Sequence, residues 1–194
     1  MATKPRGLLS VPGKGPRGQI NLEAQLAENR PFLRMAHRLD QATGGLIIAA
    51  KDLEALRALQ KAFMERRVSK MYHAVVEGVP QPARGQIELR TRLDPQNRPR
   101  QVVDPIFGKL GSTQYRVLST SRGRAWVEFI PHTGRTHQLR IHAAHPQGLG
   151  CPILGDGLYG DPDPGGLRLH ACRIAFPHPN GGWLEFRSSP DFGL

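Results

Sequence analysis

Cysteine is nearly absent from this 194-residue chain, where Cys151 and Cys172 are the only two. A disulfide scaffold is excluded, and the default expectation is a cytoplasmic protein with reduced thiols. No apolar run approaches the roughly 20 residues of a membrane-spanning helix. The opening MATKPRGLLSVPG lacks the apolar stretch of a secretory signal. Acidic residues are scarce beside basic ones, 16 against 27, for a formal net charge of +11. That imbalance suits a polyanionic partner, either nucleic acid or an acidic membrane face. There is no internal repeat, no low-complexity tract and no visible boundary, so residues 1–194 are expected to form one domain. With 39% hydrophobic and 22% charged residues the chain is not intrinsically disordered.

What is present reads as short elements punctuated by scattered glycine and proline. Residues 8–11 form a brief extended piece. Ile20, Leu22 and Leu26 give a weak helical pattern over 19–29, stopped by Pro31. The apolar run 45–50 predicts a buried strand. Asp52 caps a helix in which Leu53, Leu56, Leu59, Ala62 and Phe63 recur at helical spacing to about Arg66. Further strands are predicted at 71–78, 86–90, 113–119, 125–130, 168–176 and 183–187, and a short helix capped by Thr136 running to about Ala144. Strands outnumber helices and do not alternate regularly with them. The expected class is therefore α+β with a mixed, mainly antiparallel sheet, and not a Rossmann fold.

Four segments can carry chemistry. In 35–50, Asp40 precedes Gly44-Gly45, which are expected to turn the chain into the buried strand; a carboxylate so placed can be held rigidly, although an isolated Asp is more often a cap. In 129–148, Arg135, Arg140 and four histidines (132, 137, 142, 145) cluster near a helix start, where arginine can grip phosphate or carboxylate bidentately. Their spacing gives no metal-ligand pair, and no metal is expected. The stretch 84–101 carries Arg84, Arg90, Arg92, Arg98 and Arg100 and is expected to be a loop suited to irregular RNA, or simply a solvated surface. Tyr72, in a predicted strand beside Ala74 and Val76, is either a core residue or a ring that stacks on a base.

These residues form a familiar set. HRLDQATGGLIIAAK (37–51) resembles the signature of the RluA-type pseudouridine synthases, as do KMYHAVVEG (70–78), TGRTHQLRIH (133–142), PILGDGLYG (152–160), LHA (169–171) and the N-terminal Lys4-Pro5 to Gly13. Within that family, NRPRQVVDPIFGKLGSTQY (97–115) and SSPDF (188–192) resemble the RluA branch, which modifies short stem-loops of ribosomal RNA and of tRNA anticodon arms. Two departures stand out. The family's Thr-Ser-Gly is Thr43-Gly44-Gly45 here. The chain also begins almost at the Lys-Pro motif, so a strand that usually precedes it, and an S4 RNA-binding domain, are expected to be missing.

The resemblance implies the pseudouridine synthase fold, with helices flanking a central sheet and a central cleft. It also implies isomerisation of uridine: the C1′–N1 bond breaks, the base rotates and C1′ joins C5. Nothing is added, so no cofactor is expected. By resemblance Asp40 is the catalytic carboxylate, Tyr72 stacks on the flipped uracil, and Arg140 pairs with Asp40. Arg38 fills the gap left by the extruded base, and His37, Thr43, Arg98, Arg100, Arg135 and His137 contact RNA. Whether Asp40 adds to the base, attacks C1′ or takes a proton from C2′ stays open. A monomer working on RNA, with no membrane partner, is expected. Two rivals remain: a catalytically silent RNA-binding module of the same fold, and a metal-dependent hydrolase using the histidine-rich segment.

Overall fold

The computed structural model describes residues 1–30 and 32–194, and of Arg17 the backbone alone. The predicted stop at Pro31 lies outside the described residues. The chain clusters into two compact units, Met1–Lys70 with His170–Pro190 and Met71–Leu169 with Asp191–Leu194.

In the first unit, the chain begins with a strand, β1 (Ala2–Lys4). The sequence pattern does not predict this strand, which ends on the Lys of the Lys-Pro motif. A 3-10 turn (Pro16–Gln19) and a short helix α1 (Leu22–Ala27) follow. Asn21 caps α1 by accepting from the Ala24 N–H at 2.9 Å. Residues 8–11, expected to be extended, contribute only a single bridge, between Leu9 and Asn21.

The apolar run splits into β3 (Gly44–Ile47) and β4 (Ala49–Ala50). The break at Ile48 has a local cause: its C=O accepts from the Ala36 N–H, and its N–H donates to His37 Nε2 at 3.1 Å. β3 pairs antiparallel with β1 and parallel with β10 (Leu169–Pro177), whereas β4 pairs with β2 (Arg34–Met35). β10 continues antiparallel to β11 (Trp183–Arg187). Helix α2 (Leu53–Met64) starts at Asp52, whose carboxylate accepts from the Ala55 N–H at 2.7 Å. Its apolar face sets Leu59 and Ala62 against Leu46, Ile48, Ala50, Val68, Ile174 and Phe176. Fully burying a Leu or Phe side chain is worth about 1.5–3 kcal/mol, so this face rather than helix propensity holds α2 in place.

The second unit is an antiparallel array. β5 (Ser69–Glu77) pairs with β9 (Arg124–Pro131), β9 with β8 (Lys109–Ser121), and β8 with β6 (Arg84–Leu93). β6 also pairs with β7 (Gln101–Val103). The strand predicted at 86–90 is present and longer, whereas the loop expected over 84–101 does not hold for residues 84–93. They form a strand because Ile87, Leu89 and Thr91 are buried at period two while Gln86, Glu88 and Arg90 face solvent. Only 94–100 make the tip. Helix α3 (Gln138–Ala144) is capped by His137, one residue later than the Thr136 cap predicted, because His137 sits left-handed at φ 52° and ends the preceding turn. The whole is α+β with mixed, mainly antiparallel pairing, as expected. No helix among the described residues is long and apolar enough to cross a membrane.

The two glycines before the apolar run do different work from the turn expected of them: both are strand residues of β3. Gly45 has φ 111°, and a Cβ there would lie within 2.5 Å of the Ala171 backbone N. At Gly44 the nearest atom to a Cβ is Arg6 Cγ, 3.1 Å away on a flexible side chain. Gly45→Ala should therefore cost more than about 2 kcal/mol, while Gly44→Ser should fold with nearly unchanged stability. Urea unfolding of both variants checks this; equal stability of the two would contradict it.

Candidate active site

The segment around Asp40 is bolted from several sides within the first unit. Leu39 is clamped by Ser10, whose hydroxyl accepts from the Leu39 N–H at 3.0 Å and donates to its C=O at 2.9 Å. The Asp40 C=O accepts from the Thr43 N–H at 3.0 Å, which closes a tight turn. Buried Lys4 donates to the carbonyls of Gln41, Leu8 and Pro5 at 3.0, 2.6 and 3.0 Å. The Gln41 carbonyl also takes the Gly7 N–H. The N-terminal Lys-Pro motif is thus a brace for the Asp40 turn. Burial lowers the Lys4 ammonium to about 8, against the opposing pull of the Asp40 charge.

Three side chains in this unit were expected at the RNA. Arg38 is exposed. His37 is not a surface cation: its Nε2 holds the Ile48 N–H, its ring lies 4.7 Å from that of Phe63, and burial, with the Lys70 charge, pushes it down to about 3. Thr43 is buried, at 3% exposure. Both shape the turn from beneath.

In the second unit, Tyr72 stands half-buried on β5, opposite Phe129 of β9 and on the same face as buried Ala74 and Val76. Arg140, on α3, is buried. Its Nε and Nη2 donate to the two carboxylate oxygens of Asp156 at 2.8 and 2.5 Å. Asp156 also shapes a turn: its Oδ1 accepts from the Leu158 and Tyr159 N–H groups. Removing one partner from such a buried pair costs about 3–5 kcal/mol, so each charge requires the other.

Tyr159 escaped the sequence reading. Its hydroxyl accepts the Gln101 N–H at 2.7 Å and is hydrogen-bonded to His137 Nδ1 at 2.9 Å. The guanidiniums of Arg100 and Arg140 each lie 5.4 Å from its ring centroid. Tyr159 therefore gathers Arg100, His137 and Arg140, three of the expected site residues. His137, expected at the RNA surface, is buried by this contact. Arg98 is exposed on the 94–100 tip, and exposed Arg135 donates from Nε to the Leu110 C=O at 3.1 Å. Gln138, also unforeseen, ties α3 to β8: its Oε1 accepts from Thr133 Oγ1 and the Arg135 N–H, and its Nε2 donates to the Ser112 C=O and Thr113 Oγ1. The only available signal was a run of polar residues in TGRTHQLR that a surface helix would not need. Among the described residues, no three His, Cys, Asp or Glu side chains gather as a metal set.

The comparisons give this arrangement a family. A model described as RNA pseudouridylate synthase matches residues 1–145. The Vibrio cholerae protein named dual-specificity RNA pseudouridine synthase RluA is 41% identical over 188 residues, 95% of this chain and 76% of its own length. The Escherichia coli protein of that name is 38% identical over 198 residues, covering 99% and 89%. Among solved structures, human RNA pseudouridylate synthase domain containing 1 superposes with a TM-score of 0.79 at 28% identity, covering 99% of this chain and 87% of that one. Human RNA pseudouridylate synthase domain containing 4 gives 0.76 at 28%, covering 97% and 84%. The chain belongs to the RNA pseudouridylate synthase family, isomerases whose substrate is RNA.

One further residue of the TGRTHQLRIH motif supplies a pH test. His142 is fully buried, and burial lowers it to about 4 from an ordinary 6.5. Below pH 6.5 the unfolded chain takes up a proton that the folded chain refuses. Its contribution to stability therefore falls as pH drops from 6.5 towards 4, at up to about 1.4 kcal/mol per pH unit. Among the described residues, neither ring nitrogen of His142 has a hydrogen-bond partner. His142→Leu should be at least as stable at pH 7.5 and show a shallower acid slope in denaturant melts between pH 7 and 4.5. An unchanged slope would contradict the buried neutral ring.

Proposed function

We propose that this enzyme converts uridines in short stem-loops of ribosomal RNA, tRNA anticodon arms or both into pseudouridine, with Asp40 as the catalytic carboxylate. The observation that supports this most directly is the near-full-length similarity to two proteins named dual-specificity RNA pseudouridine synthase. The braced turn at Asp40 supports it further, because a carboxylate fixed before substrate arrives loses little entropy at the reactive step. In this reading C1′–N1 breaks, C1′–C5 forms, and the C5 proton leaves as N1 regains one; atoms balance without a cofactor. A loop uridine is the cheaper target, since an unpaired base costs less to extrude than a stacked, paired one.

Tyr72 stacks on the extruded uracil, and Arg140, steadied by Asp156 and Tyr159, assists the chemistry. Arg38 takes the place of the flipped base. Arg98, Arg100 and Arg135 contact phosphates, and His37, Thr43 and His137 support that surface from behind. Residues 1–194 serve as one catalytic domain, monomeric and cytoplasmic.

The test is incubation of the purified protein with anticodon-arm and ribosomal stem-loops, followed by pseudouridine mapping by chemical modification and reverse transcription. The unaltered protein should modify a loop uridine. Asp40→Asn should modify none while binding the same RNA within about tenfold, because affinity comes mainly from phosphate contacts. Asp40→Asn with near-normal turnover would refute the catalytic assignment. Tight binding without modification by the unaltered protein would make it a silent RNA-binding module.

A further inference from the structure

The most exposed apolar pair in the second unit lies in a loop to which no role has been given. Thr91 of β6 faces both Val103 and Lys109, so residues 104–108 leave the ladder and return to it at the same rung. This excursion is tightly closed. Asp104 Oδ1 accepts from the Ile106 and Phe107 N–H groups at 3.0 and 2.9 Å, and the Asp104 C=O accepts from the Gly108 N–H at 2.9 Å. Arg92 Nε donates to Asp104 Oδ2. That bond, with the turn amides, holds the Asp104 carboxyl below its usual range. Gly108 packs so closely on the β6 backbone that a Cβ would lie 2.6 Å from Arg90 C and 2.7 Å from Thr91 N.

The fixed turn does not bury what it carries. Ile106 is 79% exposed and Phe107 78%. Arg90 reaches the Gly108 C=O from Nη1 at 3.2 Å, Lys109 follows directly, and Arg135 is bonded to the C=O of Leu110. All three cations are solvent-exposed. An apolar, aromatic tip ringed by cations on a chain of net charge +11 is complementary to a polyanion that also displays flat, unstacked rings. Single-stranded RNA has both: phosphates for the ring of cations and a π-face on every base.

We propose that the 104–108 loop is a second RNA contact, in which Phe107, flanked by Ile106, stacks on an unpaired base of the substrate loop while Arg90, Lys109 and Arg135 hold the neighbouring phosphates. The proposal rests on the reading of stem-loop RNA as substrate.

The experiment compares the full-length protein with Phe107→Ala, Phe107→Tyr and Lys109→Ala, measuring affinity for a stem-loop and for a fully paired duplex of equal length across a salt series. Phe107→Ala should weaken stem-loop binding roughly 5- to 150-fold, the range for losing one base–aromatic stack. It should leave duplex binding and the salt slope unchanged. Phe107→Tyr, which keeps the ring face, should bind like the unaltered protein. Lys109→Ala should flatten the slope by roughly 0.7, one single-strand phosphate contact. Thermal melts confirm that each variant is folded.

Undiminished stem-loop affinity in Phe107→Ala, or an equal loss on duplex, would overturn the proposal. So would concentration-dependent self-association, or capture by anionic phospholipid vesicles, that Phe107→Ala abolishes without affecting RNA binding. Failure of the parent reading looks different: the unaltered protein would then bind the stem-loop through Phe107 yet make no pseudouridine.

Discussion

A buried guanidinium needs a buried anion, and the pairing of Arg140 with Asp156 organises much of the second unit. Asp156 meets the arginine with both oxygens and with one of them also accepts two amide N–H groups, which shapes the turn over 156–160. That turn delivers Tyr159, whose hydroxyl fixes His137 at the start of α3 and Gln101 at the start of β7, and whose ring lies against Arg100. One ion pair thus fixes the helix that carries Arg140, the residue before that helix and the base of the arginine-bearing tip. The charge density that suits an RNA backbone and the group expected to assist chemistry share a single anchor.

The first unit solves a different problem, that of holding a carboxylate near the surface without letting its backbone move. It does so with short-range bonds from the N-terminal segment: Ser10 on Leu39, and Lys4 and Gly7 on the Gln41 carbonyl. Burying Lys4 is costly, as its lowered pKa shows, and the three carbonyls it meets are what make that burial tolerable. His37 splits the apolar run by taking the Ile48 N–H, so the chain after Asp40 leaves one strand partner and joins another within a single residue. The rigidity around Asp40 comes from these polar ties as much as from apolar packing.

Where local pattern carries the information, the sequence is a sufficient guide. The apolar spacing after Asp52 and the alternation over 183–187 predict α2 and β11 to within two residues. β1 was missed because Ala-Thr-Lys has no pattern of its own and is a strand only through pairing with β3. The strand at 86–90 is legible in the sequence, but its full extent over 84–93 is not, because arginines obscure the continuing period-two alternation of Ile87, Leu89 and Thr91. The split at Ile48, the left-handed His137 and the Tyr159 contacts depend on partners 11 to 58 residues away, which no window along the chain reveals. At the site, the family resemblance supplied Asp40, Tyr72 and Arg140. It did not reveal that Arg140 is bound by Asp156, that Thr43 is buried, or that half-buried His37 is held by the Ile48 N–H and against Phe63.

The account stands or falls on whether the Asp156 carboxylate positions Arg140 for chemistry rather than merely stabilising the fold. The direct measurement is the single-turnover rate of pseudouridine formation by Asp156→Asn at saturating stem-loop RNA, on protein shown to be folded by circular dichroism. Asn keeps the turn's acceptor and removes the charge. The account predicts a rate lower by about a hundredfold, the scale of an ångström-sized misplacement near a reacting centre, with RNA affinity essentially kept. A folded Asp156→Asn enzyme that turns over at the unaltered rate would contradict it.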